Sequence, residues 1–291
     1  MQILKMERKD YPAVGEAVYQ TTLRNGLKVF LLPKRDFNET YGIMTANFGS
    51  IDTSFIPRGS NQAVQYPAGV AHFLEHKLFE DENGQDLLQQ FVELGAESNA
   101  FTSFTKTSYL FSATDNVLEN VRLLQSLLEN AYFTEESVQR EQGIIQQEID
   151  MYKDNPDYCL FFHTLANLYP DTPLAEDIAG SVESIAEITV EDLDENFETF
   201  YHPSNMSLLL IGNFDLEKTI AVIQEQHESL KGIDEESLIR HFPLALNPVI
   251  STGSIRMEVA NSKLAIGLRG NQSLAEVDLF RYKIGLKLLF A

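Results

Sequence analysis

Apolar residues in this chain recur in two rhythms, one of period two and one near 3.6, and their order predicts a sheet with helices laid against it. The runs Glu16-Ala-Val-Tyr-Gln-Thr-Thr-Leu23 and Leu27-Lys-Val-Phe-Leu-Leu-Pro33 flank Asn25-Gly26, a pair that signals a hairpin turn. Residues 41–48 supply a third strand. A proline-punctuated loop over 56–67 then leads into Ala68-Gly-Val-Ala-His72, which opens a helix. A helix over 85–94 is stopped by Gly95, and 98–104 and 106–112 form a second pair of strands. Within 116–130, Val117, Val121, Leu124 and Leu128 share one helical face. The next helix starts after Thr134, an N-cap, with Glu135 and Glu136 in the first turn where the helix dipole favours acids. Its buried side carries Val138, Ile145, Ile149 and Tyr152. Helices over 158–168 and 190–201 follow, the second capped by Thr189 with Asp192 three residues on. Residues 206–212 make a buried strand and 215–226 a helix.

The pattern breaks at 227–253, where charge is mixed, two prolines occur and no period persists; this stretch is expected to be a linker. Beyond it, 254–259 and 263–268 repeat the order of the early strands. Residues 276–291 then place Val277, Phe280, Ile284 and Leu288 at helical spacing. The predicted organisation is an N-terminal domain over 1–226, a linker over 227–253 and the start of a second, incomplete repeat over 254–291. The last helix holds no histidine and nothing follows it for the domain to close on, so the chain reads as a fragment of a longer protein.

Composition narrows the function classes. With 291 residues and 44% apolar content, the chain can build a sizeable core. Its charge, 22 basic against 43 acidic residues, is −21, which repels phosphate backbones and anionic membranes, so no nucleic-acid or membrane partner is expected. The same acidity could favour basic peptides or be only a solvated surface. The longest apolar run, 206–212, is too short to cross a bilayer, and the first ten residues lack the apolar core of a signal peptide. Cys159, the only cysteine, can form no intrachain disulfide. A cytoplasmic location follows from these readings.

The chemistry concentrates in His72-Phe73-Leu74-Glu75-His76 and, 72 residues later, Glu148 in Glu141-Gln-Gly-Ile-Ile-Gln-Gln-Glu148. On a helix, His72 and His76 share a face one turn apart with Glu75 beside them, so one metal ion could take both rings. Catalytic zinc keeps three protein ligands and one open position, so a third ligand must come from elsewhere, and Glu148 is the candidate. Glu141 lies two turns earlier, about 10 Å along the axis, so only one of the two acids can bind a given ion. Against this, either histidine could be a satisfied core residue and Glu75 a surface acid; two histidines at ligand spacing around a carboxylate weigh the other way. Glu148, on spacing alone, could equally be a solvated helix acid. His163, His202, His227 and His241 stand singly and read as structural or surface residues, and Cys159 lacks a second cysteine to make a soft site.

The inverted motif His72-Phe-Leu-Glu75-His76 resembles that of the insulinase or pitrilysin family of inverzincin metallopeptidases, which includes the mitochondrial processing peptidase. Further stretches match in order: Pro67-Ala-Gly-Val-Ala, Ser98-Asn-Ala-Phe-Thr-Ser103 followed by Thr107-Ser-Tyr109, the helix from Glu141 to Glu148, and Tyr201-His-Pro-Ser-Asn-Met206 before Ile211-Gly212-Asn213. The resemblance covers residues 15–230 and the start of a second repeat. It implies an α+β fold, an antiparallel sheet with helices on one side, in tandem repeats. Zn2+ would be held by His72, His76 and Glu148, with Glu75 as general base and Glu141 supporting the site from behind the ligands. Asn99, Ala100 and Phe101 would lie on an edge strand that pairs with an extended peptide substrate, though read without the resemblance this is only an edge strand. Two double-domain halves would close around a chamber, so a homodimer, or a heterodimer with a related chain, is implied. The arginine and tyrosine that hold the substrate carbonyl in the family have no matching positions here. The expected activity is zinc-dependent endopeptidase or processing-peptidase hydrolysis. Two alternatives stay open: a peptidase-like subunit that binds peptide or a partner with little activity of its own, and a zinc hydrolase or lyase for small molecules.

Overall fold

In the computed structural model, residues 6–57, 59–80, 84, 86–127, 131–228, 239–240, 247–270 and 276–289 are described. The period-two segments form the sheet. Strands β1 (Glu7–Tyr11), β2 (Glu16–Thr22), β3 (Lys28–Pro33) and β4 (Thr40–Ala46) come first, and a small separate hairpin, β5 (Ser54–Phe55) with β6 (Val64–Gln65), follows. Helices α1 (Val70–Lys77) and α2 (Leu87–Glu93) lead to the hairpin β7 (Ala96–Thr102) and β8 (Thr107–Ala113). Four helices of at least ten residues, α3 (Val117–Ser126), α4 (Glu135–Lys153), α5 (Pro156–Leu168) and α7 (Val190–Phe200), come next, with the short α6 (Val182–Glu187) before α7. Strand β9 (Met206–Gly212), helix α8 (Leu216–Glu228) and helix α9 (Glu276–Leu289) complete the order.

The sheet runs β1-β2-β3-β9-β4-β8-β7, so β7 is an edge. Every pairing in it is antiparallel except β3 with β9, which is parallel. Register puts the apolar positions in rows across the strands. Val29, Leu208, Met44 and Tyr109 are successive partners, and Leu31, Leu210, Gly42 and Phe111 form the next row. All of these but Gly42 are apolar side chains at most 1% exposed, each contributing about 1.5–3 kcal/mol by leaving water. Gly42 is required in its row because the Phe111 ring fills the space a Cβ would take.

Helix α1, which carries both motif histidines, is positioned by burial rather than by propensity. Seven of its eight residues are buried, and it packs on β7, β8, α4 and α7. It has no side-chain cap; Gly69 starts it at φ 93°, a left-handed conformation that costs other residues strain. A Cβ on Gly69 would lie 2.5 Å from the Ala179 carbonyl oxygen. Gly69→Ala should therefore lower unfolding stability by about 1–3 kcal/mol, read as a fall in denaturant midpoint at unchanged slope. An unchanged midpoint would show that the turn tolerates a side chain. Helix α4 starts as expected: the Thr134 side chain accepts from the Ser137 N–H, and Ser137 returns a bond to the Thr134 N–H.

Three features depart from the pattern reading. Strand β1 has no apolar alternation and is exposed along its length; only its ladder to β2 makes it a strand, and its charges suit a sheet edge. The six residues of α6 were too few to show a period. Residues 254–259 and 263–268, expected as strands, form none. This region instead lies along α5: Lys263 pairs with Asp157 at 2.7 Å, and Arg269 donates to the Leu168 carbonyl at 2.6 Å. Without a ladder partner, alternation leaves Leu264, Ile266 and Leu268 at least 75% exposed.

Most of the expected linker, together with Leu128 and His241, lies outside the described residues. Of its described residues, 239–240 dock on the first domain. Ile56 donates its N–H to Ile239, Arg240 Nε lies 3.2 Å from Asp52 Oδ1, and the guanidinium sits 5.4 Å over the Phe200 ring. Burial pushes the Asp52 carboxyl up to about 6 against the pull of Arg240 and the Gly49 N–H.

Candidate metal centre

One turn of α1 brings the His72 and His76 rings to a centroid distance of 4.5 Å, inclined at 65°. Helix α4 crosses beside them and presents Glu148, whose Oε2 lies 3.7 Å from His72 Nε2 and 3.4 Å from His76 Nε2. One ligand atom from each of these three residues falls within 4.8 Å of the others. Ligands about 2.0–2.2 Å from a tetrahedral zinc ion are about 3.3–3.6 Å apart, so the group fits that ion with small adjustments. It is the only such group of three metal-binding side chains among the described residues.

Glu141 is placed elsewhere, with Oε1 2.9 Å from His76 Nδ1. That contact selects the tautomer with the proton on Nδ1 and leaves Nε2 free as a ligand. The His72 Nδ1 is buried without a hydrogen-bond partner. Without metal, the two rings differ in proton affinity. Burial and the neighbouring His76 charge hold His72 down to about 4. Burial opposes the charge of His76 as well, but hydrogen bonds to Glu141 and Glu148 outweigh it and raise that ring to about 9. Glu148 is held below the usual carboxylate value, chiefly by its hydrogen bond to His76.

Glu75 faces the same space from α1. It is 8% exposed, and burial raises its carboxyl above the ordinary value against a hydrogen bond donated by the Thr102 hydroxyl on β7. Asn99, Ala100 and Phe101 lie on β7, the open edge of the sheet, with Phe101 45% exposed. The Asn99 side-chain oxygen accepts from the Ala100 N–H at 2.8 Å. A cavity of 390 Å³ opens between this strand and the two helices, lined by Glu75, His76, Phe79, Asn99, Arg140 and Glu141 among others. Glu80, also in its lining, is paired with both the buried Lys77 and Arg140.

Pattern reading named no role for Thr102 or Tyr152. Tyr152, expected on the buried side of α4, is partly buried, and its ring stacks on that of Tyr158 at a centroid distance of 4.5 Å. Two of the single histidines stay apart from the metal group: His202 bonds the Ser204 N–H and hydroxyl, and His163 sits on α5 near Gly253.

Comparison with known proteins gives two family matches. Residues 54–182 match the family described as Insulinase (Peptidase family M16), and residues 187–290 match the one described as Peptidase M16 inactive domain. The second match includes α7, β9 and α8, although β9 lies in the middle of the sheet. An uncharacterized zinc protease of Bacillus subtilis (strain 168), YmfH, is 43% identical over 282 residues, which are 96% of this chain and 66% of that protein. A protein of Arabidopsis thaliana named for the beta subunit of the mitochondrial-processing peptidase is 28% identical over 209 residues, 70% of this chain and 38% of its own. Among solved structures, a candidate M16-like peptidase from Alicyclobacillus acidocaldarius superposes with a TM-score of 0.74 at 37% identity, covering 82% of this chain and 54% of that one. The chain thus spans two thirds or less of the length of each.

Proposed function

From the premise that this chain belongs to the insulinase family of zinc proteases, peptidase family M16, we propose that it forms the zinc-bearing half of an endopeptidase. The observation that carries the reading is the convergence of His72, His76 and Glu148 on one point, with Glu75 buried beside it. His72, His76 and Glu148 are the ligands. The chemistry zinc supplies in such a site is Lewis-acid chemistry, acidifying a water molecule and polarising the peptide carbonyl.

The protein's own groups do the rest. Glu75 takes the proton of the attacking water and returns it to the leaving amine; burial raises its carboxyl above the ordinary value. Thr102 orients Glu75 by its hydroxyl, and Glu141 orients His76. The substrate is an extended peptide lying along β7 beside Asn99, Ala100 and Phe101, with one side chain in the adjoining cavity. To pair at Ala100, the peptide displaces the Asn99 carboxamide from that N–H.

Residues 254–291 are taken as the start of a second repeat, a reading supported by the second family match reaching residue 290. A chamber needs a second half, so the active form is a homodimer or a heterodimer with a related chain. No helix among the described residues is long and apolar enough to cross a membrane. The single cysteine supports a reducing, cytoplasmic compartment.

A second reading, a peptide- or partner-binding subunit with little activity, draws on the match of 187–290 to an inactive domain. Zinc content and cleavage of a quenched unstructured peptide, with and without chelator, separate the two. About one zinc per chain and chelator-sensitive cleavage are expected for a peptidase. Zinc without cleavage, in the presence of any partner chain, would leave the second reading.

A further inference from the structure

The general base is held from outside its own helix. Thr102, whose hydroxyl donates to Glu75, is the last residue of β7, and its register partner Thr107 opens β8. The two hydroxyl oxygens lie 3.4 Å apart, and the fully buried Thr107 hydroxyl donates to the Phe48 carbonyl at 2.9 Å. Where the Thr102 hydroxyl sits therefore depends on the loop that follows β4, residues 47–52.

That loop closes on the β7–β8 turn through its backbone. Ser50 donates its N–H to the Ser103 carbonyl at 3.0 Å, and Ile51 donates to that of Phe104 at 3.1 Å. The two segments are so close that a Cβ on Gly49 would lie 2.4 Å from the Thr105 nitrogen. Asp52 gives the loop its shape: its Oδ2 accepts from the Gly49 N–H at 2.9 Å, and its own N–H bonds the Gly49 carbonyl at 3.0 Å. The Asp52 side chain is only 1% exposed, and a carboxylate so far from water needs a cation beside it. Arg240 supplies one from the linker. Its Nε lies 3.2 Å from Asp52 Oδ1, its Nη2 donates to the Asn47 carbonyl, and Phe200, over which it sits, stacks on Phe48 at a centroid distance of 4.2 Å. One guanidinium thus holds both ends of the loop.

We infer that Arg240 is a positioning residue for the general base: by closing the 47–52 loop on the β7–β8 turn, it keeps the Thr102 hydroxyl on Glu75. The inference rests on the peptidase reading above. Linker docking and orientation of the base are coupled through contacts that run unbroken from Arg240 to Glu75.

The test uses the intact chain and Arg240→Met, which keeps the stem of the side chain and removes the guanidinium. In the metal-free protein, hydrogen exchange at the Ser50 and Ile51 amides should quicken about 10-fold or more, while the amides of Leu208 and Leu210 in the central strand β9 keep the parental rate. With zinc bound, cleavage of a quenched peptide should show kcat about 10- to 100-fold lower at unchanged KM. A cycle with Thr102→Val identifies the route, because Arg240→Met should cost nothing further once the Thr102 hydroxyl is gone. Arg240→Met combined with Asp52→Asn, which leaves no unpaired charge, should show the same loss of kcat. Parental exchange at Ser50 and Ile51, a parental kcat, or an equal loss in the Thr102→Val background would each overturn the inference and leave the peptidase reading in place. Faster exchange at Leu208 and Leu210 in both variants would make Arg240 a fold element and overturn it too. A zinc-loaded parent that cleaves no peptide would overturn the functional reading and this one with it.

Discussion

Replacing Glu75 with glutamine should leave zinc bound and lower the rate of peptide cleavage by about 100- to 10,000-fold, the usual worth of a positioned general base. The substitution keeps size and hydrogen-bonding capacity and removes only the ability to take a proton. Glutamine can still accept from the Thr102 hydroxyl, so the helix and the ligand set should stay in place. The variant also removes the cost of ionising a carboxyl that is 8% exposed, so its stability should not fall. Two measurements decide the matter: metal content by atomic emission, and the initial rate on a quenched peptide under conditions where the parent is active. Cleavage at the parental rate would mean that Glu75 is not the base.

His76→Ala should do the opposite and strip the metal. His76 contributes one of three ligands and is also the partner of Glu141, whose side chain is 12% exposed. Removing the ring deletes a ligand and leaves that carboxylate unpaired, so zinc should fall to background and activity with it. The fold should persist, because Val70, Ala71, Phe73 and Leu74 hold α1 in the core and His76 makes no part of that packing. Circular dichroism close to that of the metal-free parent would confirm that only the site is lost. One zinc ion per chain in the purified variant would remove His76 from the ligand set.

The two variants separate binding from chemistry, and both positions could be picked from the chain before any coordinates. Spacing placed His72 and His76 on one face of a helix because the helical period allows nothing else at four residues apart. Period-two alternation likewise located β3, β4, β8 and β9, whose inward residues are buried as expected. Alternation failed where no partner strand occurs among the described residues: 254–259 and 263–268 carry the pattern but form no strand, and the region lies along α5. It failed again where a partner makes the strand unaided, as β2 does for the charged β1.

Glu148 marks the limit of that reading. By itself, an acid on an exposed helix face has the same spacing whether it binds a metal or water. What the amino-acid sequence determined alone was local: which residues share a helix face or a strand face, where Thr134 and Thr189 start helices, and that the two motif histidines could meet one ion. Tertiary structure decided the rest. Packing of α4 across α1 brings Glu148 to the imidazoles and sets Glu141 on His76 Nδ1. The physical reason is that a period fixes an angle about one axis, whereas a ligand set needs the distance and crossing angle between two axes. Those are set by which side chains fill the space between helices, and the pattern along one chain segment does not contain them.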